Sequence, residues 1–320
     1  TVIRGASAVR YGSDAIGGVV LIEPAPLHDT TGLSGEVNTI GFSNGRGGAL
    51  SGQLQGNVGK IKYLNWRVQG TLKRSGNIRT PEYYLSNTGS SEYNCSYALA
   101  YHRKNAGIAL YYSQFNSRIG IFSGAHTGNL TDLYAAFNRS RPIDSLAGFS
   151  YNIAGPYQQI AHELTKLSSD FHTGPRSRFY AIYAWQYNHR REYDQHGSTA
   201  INTQEKPASD YRLTTQTGEL IWEHDYIRSF RGRFGVQGMH QGNIYREKFF
   251  IPNYRNRTIG FFAIERFVRS HYELEAGLRY DYKKLESFFY RSGVLQRPEL
   301  NFSNLSYQLG GVYKPTELFK

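Results

Sequence analysis

Only one cysteine and one methionine occur among the 320 residues, and nowhere do apolar residues run on for the thickness of a bilayer. The lone thiol, Cys95, excludes an internal disulfide and a zinc site built from paired cysteines. It falls on an apolar beat of a strand pattern, where a small packing residue is expected rather than a nucleophile. The missing apolar run excludes a membrane-spanning helix, which needs about 20 such residues. Catalytic signatures are scarce as well: there is no HExxH and no Walker A loop. No enzymatic activity, cofactor or resident metal is therefore expected. Acidic residues are outnumbered, leaving a net charge of +12 and a pI near 9.6. Lys and Arg are nevertheless scattered instead of gathered into one stripe, which argues against a nucleic-acid partner.

The chain is rich in aromatic rings and in alternation. Aromatics reach 15%, with Tyr 26 and Phe 18, whereas hydrophobic residues total only 39% and mean hydropathy is −0.54. From Gly35 onward, period-two alternation and turn residues predict about twelve β-strands. In the clearest, Tyr272, Leu274, Ala276, Leu278, Tyr280 and Tyr282 share one face, while Glu273, Glu275, Arg279, Asp281 and Lys283 share the other. A 3.6-residue period would mix the two sets, so no helix fits. Leu64, Trp66, Val68 and Leu72 oppose Asn65, Arg67, Gln69, Thr71 and Lys73 in the same way.

Strands of about 10–14 residues exceed the usual five or six and suffice to cross hydrocarbon at a tilt. After a first short link at 44–48 the connections alternate in length. Those at 59–60, 104–107, 173–177, 226–230 and 269–270 are short; those at 75–93, 116–156, 193–210, 243–256 and 286–299 are long. One rim of short turns and one of long loops is the pattern of an outer-membrane barrel. The fold class expected is thus all-β, an antiparallel transmembrane β-barrel. A soluble β-sandwich with its apolar faces turned inward is the alternative.

The opening stretch, TVIRGASAVRYGSDAIGGVVLIE, reads as a strand at 2–4, a short helix from Gly5 to Gly12, and a Gly-Gly turn into an apolar strand at 19–22. Gly12 can end the helix in a left-handed conformation, and Gly17 and Gly18 permit a tight turn and close backbone approach. The block resembles the end of the plug domain of TonB-dependent outer-membrane receptors, through Arg4-Gly5, Tyr11-Gly12 and Ala15-Ile16-Gly17-Gly18-Val19-Val20. Downstream, Phe250-Ile251-Pro252-Asn253-Tyr254 and Ala276-Gly277-Leu278-Arg279-Tyr280-Asp281-Tyr282 are similar to barrel segments of that family, in a style associated with its Bacteroidetes members.

The resemblance implies a fragment of such a receptor. Residues 1–28 would be the C-terminal end of an α/β plug domain, and 29–320 the N-terminal part of a barrel, about 12 of its 22 strands. Arg4, Gly5, Tyr11, Gly12, Gly17 and Gly18 would be architectural residues of the plug, none of them catalytic. It implies a place in the bacterial outer membrane and energised uptake of a scarce ligand: an iron–siderophore complex, haem, cobalamin or a glycan. TonB would act through a segment outside these residues, and outer-membrane lipid and lipopolysaccharide would surround the wall. A passive porin or adhesin barrel, or a soluble extracellular β-protein binding carbohydrate, are the alternatives.

Three smaller expectations follow. The stretch His189-Arg190-Arg191-Glu192-Tyr193-Asp194-Gln195-His196 has metal-ligating residue types, but its arginines oppose a cation and a solvated loop tip is expected. Glu273 and Glu275 read as lumen-facing charges opposite Arg and Lys. The loop aromatics Tyr83-Tyr84, Phe249-Phe250 and Phe288-Phe289-Tyr290 are candidates either for ligand contact or for interface anchoring, and a short helix is expected at 131–138, capped by Thr131 or Asn129.

Overall fold

The computed structural model describes all residues except 13, 14, 16, 25, 26, 28–31, 60, 123, 125–128, 144, 147, 194–205, 228, 248 and 316–320. The expected domain boundary at 28/29, the end of the histidine-bearing cluster (Asp194, Gln195, His196) and the last five residues lie outside the described ones.

Strands dominate, at 69% against 7% helix. In chain order they are β1 (Val2–Ile3), β2 (Val19–Val20), β3 (Leu33–Phe42), β4 (Gly47–Asn57), β5 (Leu64–Ser75), β6 (Tyr84–Leu85), β7 (Ser90–Arg103) and β8 (Ala106–Gly120). They continue with β9 (Ser145–Leu146), β10 (Tyr157–Gly174), β11 (Ser177–Tyr193), β12 (Ser209–Ile227), β13 (Phe230–Glu247), β14 (Asn253–Val268), β15 (Tyr272–Arg291), β16 (Val294–Gln296) and β17 (Glu299–Tyr313). All the long ones belong to one 13-stranded antiparallel sheet in which sequence neighbours pair, from β3 at one edge to β15 and β17 at the other. Without the three-residue β16 this leaves twelve long strands among the described residues, against the roughly twelve that the alternation predicts.

The faces are sorted inside out relative to a soluble sheet. On β15, Leu278 is 50% exposed and Tyr280 44%, whereas Arg279 and Asp281 are 4% and 9% exposed. Val68 and Leu72 of β5 are likewise exposed while Asn65 and Arg67 are buried. A sandwich would have buried the other set, so the sandwich alternative fails here. A wall whose apolar side faces outward needs hydrocarbon against it, because water against so many apolar side chains would cost about 25 cal/mol per Å². Among the described residues no helix is long and apolar enough to cross a membrane.

Two corrections concern lengths. Strands reach 20 residues in β15 instead of the expected 14 at most. The connections at 243–256 and 286–299 are not long loops: β13 continues to Glu247 and β14 starts at Asn253, while β15 continues to Arg291. There Ser292 and Gly293 both take positive φ and turn the chain into β16. Phe288-Phe289-Tyr290 is therefore strand, with Phe288 under the guanidinium groups of Arg255 and Arg297. Hydrophobic pattern ends where the membrane ends, but backbone pairing does not, so polar residues above the belt remain in the ladder. The loops at 76–89 and 121–156 do rise on the rim opposite the short turns. Within 121–156, α1 (Leu130–Phe137) is capped by Asn129, whose side chain accepts from the Asp132 N–H at 2.9 Å. Asn129, not Thr131, is the cap.

Candidate functional site: the N-terminal segment against the inner wall

Residues 5–11 form a 3-10 helix that packs on the inner face of β14, β15 and β17. Its small residues make the approach close: Ala6, Ala8 and Val9 are buried. The wall answers with Gly277, where a Cβ would stand 2.8 Å from the Ala6 carbonyl oxygen and 3.2 Å from the Ala6 Cβ. That position on β15 lies between inward charges, so glycine there makes the seat for the helix.

Polar contacts hold the rest. Arg10 donates from Nε and Nη2 to the two carboxylate oxygens of Glu219 on β12, at 2.9 and 2.8 Å. Burial works against the Arg10 charge, but its hydrogen bonds to Glu219 and its attraction to that carboxylate outweigh it and raise the Arg10 pKa above its ordinary value. Glu219 also accepts from Gln237 of β13 at 2.8 Å. Arg279, from the floor of β15, donates to the Arg10 carbonyl oxygen (2.6 Å) and to Gln237 (2.8 Å), and pairs with Asp281 at 2.7 Å. Ser7 adds its N–H and hydroxyl to Glu275, at 3.2 and 3.3 Å. The whole forms one network from the segment to three strands, in which each buried charge has an opposite charge or dipole against it.

Beside it opens a cavity of about 470 Å³ lined by Tyr11, Gly12, Glu219, Arg279, Asp281 and Lys283 together with the apolar Ile182, Met239 and Phe302. Of the six residues singled out in the motif, the structure thus brings Tyr11 and Gly12 to the network. Gly12 ends the helix with φ 98° and ψ −179°, extended with positive φ instead of helical, and only the Arg279 guanidinium comes within 4 Å of its absent Cβ. Arg4 opens the helix in extended conformation, and Arg10 lies over the Tyr11 ring at 5.4 Å. Gly5 has φ +74°. Gly18 has φ +107° and passes so close to β1 that a Cβ would meet the Ile3 carbonyl oxygen at 2.8 Å. Gly17 shows neither a positive φ nor a neighbour within 4 Å of an added Cβ.

The sequence reading missed Arg10, Ser7, Glu219 and Gln237 as partners. One signal was present: Glu219 is a carboxylate at an inward position beside the apolar run Leu220-Ile221-Trp222. Glu275 stands opposite Arg266 in register, as expected, and also accepts from Ser7 of the segment, while Glu273 pairs with Arg266 and Lys314. No group of three metal-ligating residues occurs among the described residues. His189 instead bonds Asp210 at 2.9 Å, and Glu192 accepts from Arg190, Gln158 and Ser209. Of the loop aromatics, Tyr83 lies under Arg141 and Tyr84 packs edge-on to Phe149.

The sequence matches no protein-family model and no curated protein. Solved structures match across most of the chain. The ferric yersiniabactin uptake receptor FyuA from Yersinia pestis superposes with TM-score 0.62 at 16% identity, over 91% of this chain and 46% of its own. The ferric-catecholate import receptor Fiu from E. coli K12, in its open form, gives 0.66 at 12% identity, over 91% and 53%. The ferric citrate transporter FecA gives 0.66 at 12%, over 99% and 47%. These are transport receptors, not enzymes, and the chain spans about half the length of each. The inside-out sheet and these likenesses together show a chain with the fold of the TonB-dependent outer-membrane receptors, a wall of their transmembrane β-barrel.

Proposed function

We propose that the chain is part of a TonB-dependent transporter of the bacterial outer membrane that takes up a metal chelate of the siderophore type. The observation that carries the reading is the polar network from Ser7 and Arg10 to Glu219, Gln237, Glu275 and Arg279. An open porin has no use for a segment bound across its inner wall; a gated transporter does. In this reading residues 1–28 end a plug domain and 29–320 begin the barrel. Arg4, Gly5, Tyr11, Gly12, Gly17 and Gly18 shape the plug's last strand–helix–strand unit. The long loops capture the ligand, and force delivered through TonB loosens the plug. Support for the ligand class comes from the neighbours, whose names specify ferric yersiniabactin, ferric catecholate and ferric citrate.

The test is uptake of radiolabelled ferric chelates by cells expressing the full-length receptor, with TonB present or deleted. Accumulation that needs both the receptor and TonB is expected. Accumulation independent of TonB would overturn the gated reading in favour of a passive pore.

A further inference from the structure

The lumenal cavity beside Tyr11 and Gly12 is backed by two successive rows of the ladder, and the rows differ in chemistry. The lower runs Glu219, Gln237, Gly260, Asp281 and Asn304 across β12 to β17. Its charges are all engaged. Asp281 accepts three bonds from Arg279, and Glu219 accepts two from Arg10 and one from Gln237. Gly260 leaves room for that pairing, since a Cβ there would collide with both Arg279 and Asp281.

Two residues nearer the long-loop rim, the upper row runs Thr217, Met239, Thr258, Lys283 and Phe302. It offers two hydroxyls, a thioether, a ring and one ammonium, and no carboxylate. Lys283 is half-buried and has no hydrogen-bond or ion-pair partner among the described residues. Tyr11, which lines the same cavity from the side of the segment, likewise has no hydrogen-bond partner for its hydroxyl among them. A cation that has lost part of its water is stabilised by an anion held against it, and the carboxylates lining the cavity are already taken. The space, about 470 Å³, is of small-molecule size, and Ile182, Met239 and Phe302 give it an apolar side.

We propose that the upper row binds the anionic part of the transported chelate, a carboxylate or catecholate, on Lys283, with the apolar body of that ligand against Met239 and Phe302. That the occupant is cargo rests on the transport reading above; the site deepens it by naming the cargo's charge and the residue that meets it. Tyr11 belongs to the segment and Lys283 to the wall, so the bound anion is clasped between gate and barrel. A ligand that touches both favours the seated segment. Drawing the segment away removes one side of the site, so opening the gate and releasing the cargo become one event.

The experiment uses the full-length receptor in detergent and two probes of one shape, 2,3-dihydroxybenzoate and its uncharged amide. Equilibrium dialysis reads binding, and a fluorophore on the N-terminal domain reads the urea midpoint at which the segment leaves. The acid is expected to bind and to raise that midpoint; the amide should bind about tenfold more weakly, the order of one charge-assisted contact. Lys283→Gln should weaken binding of the acid by the same factor and abolish the rise in midpoint, while Lys283→Arg keeps both. Thr258→Glu, which hands Lys283 a carboxylate directly across the ladder, should block the acid as well. Heat-modifiable migration, unchanged in all three variants, reports the folded barrel. Equal binding of acid and amide would overturn the proposal, as would wild-type binding by Lys283→Gln, or binding of the acid with no rise in midpoint. So would an inert acid together with a midpoint lowered by Lys283→Gln alone, which marks a carboxylate of the receptor's own chain on Lys283. TonB-independent uptake would sink the transport reading and leave the anion site in place; an acid that never binds would sink the site and leave TonB-dependent uptake untouched.

Discussion

The Arg10–Glu219 pair predicts an asymmetry between its two partners. Arg10 is 19% exposed and Glu219 12%, so both charges have left most of their water. Breaking such a buried pair by removing one member costs about 3–5 kcal/mol when desolvation is complete, and about 2–4 at this exposure. The two removals are unequal. Arg10→Ala leaves Glu219 with the Gln237 amide still donating to it at 2.8 Å. Glu219→Ala leaves a guanidinium against the wall with no carboxylate to receive it, and also strips Gln237 of an acceptor. The second should therefore loosen the segment more, by about 1 kcal/mol, the worth of one further hydrogen bond. The assay is urea release of the N-terminal domain in the full-length receptor, followed by a fluorophore on that domain while heat-modifiability reports the barrel. In a double-mutant cycle the pair should couple by at least about 1 kcal/mol. Coupling near zero, or equal effects of the two single changes, would refute the claim that this contact holds the segment.

Three further changes test separate parts of the structure. Leu278→Arg places a charge on the outer face and should cost about 2–4 kcal/mol of barrel stability in lipid, measured by urea titration; no cost would mean the faces are assigned backwards. Gly277→Val should leave the barrel folded, since a β-branched residue suits a strand. It should lift the 3-10 helix off its seat by an overpacking cost of about 1–3 kcal/mol, read as increased entry of bulky antibiotics. Gly18→Ala meets both a positive φ and the Ile3 carbonyl at 2.8 Å. It should destabilise the N-terminal unit, whereas Gly17→Ala should be tolerated, and proteolysis of that unit compares them.

How much was legible in the sequence follows from which interactions are local. Alternation along Tyr272 to Lys283 revealed strand, faces and orientation because the period of a strand is a property of one segment. Strand ends were less legible: beyond the belt, Asn253 to Arg257 and Lys284 to Arg291 no longer alternate in hydropathy, yet the ladder continues through them. The helix at Gly5 and the need for Gly18 were readable from glycine alone. The network was not, because Arg10 and Glu219 lie 209 residues apart and only the docking of the segment on the inner wall brings them together. Nothing local distinguishes Glu219, which holds the segment, from Glu223, which spends its hydrogen bonds on Arg233 of the neighbouring strand.

The kind of contact that fixes the N-terminal segment also bears on how it can be moved. A segment seated by apolar packing would expose a dry patch on leaving, with a cost proportional to its area and nothing in the lumen to offset it. Here the apolar share is limited to Ala6, Ala8 and Val9, and the remainder consists of hydrogen bonds and one ion pair. Water entering between Arg10 and Glu219 replaces what the wall withdraws, so each bond can be exchanged singly and the strain need never exceed one contact at a time. The outer face has the opposite character: its side chains have no aqueous substitute for hydrocarbon, so the strands stay fixed under the same force. A pull applied to the segment therefore divides the molecule along the line between its wetted inner face and its apolar outer one. The barrel keeps its register while the segment yields, which is the mechanical requirement of a gate inside a rigid wall.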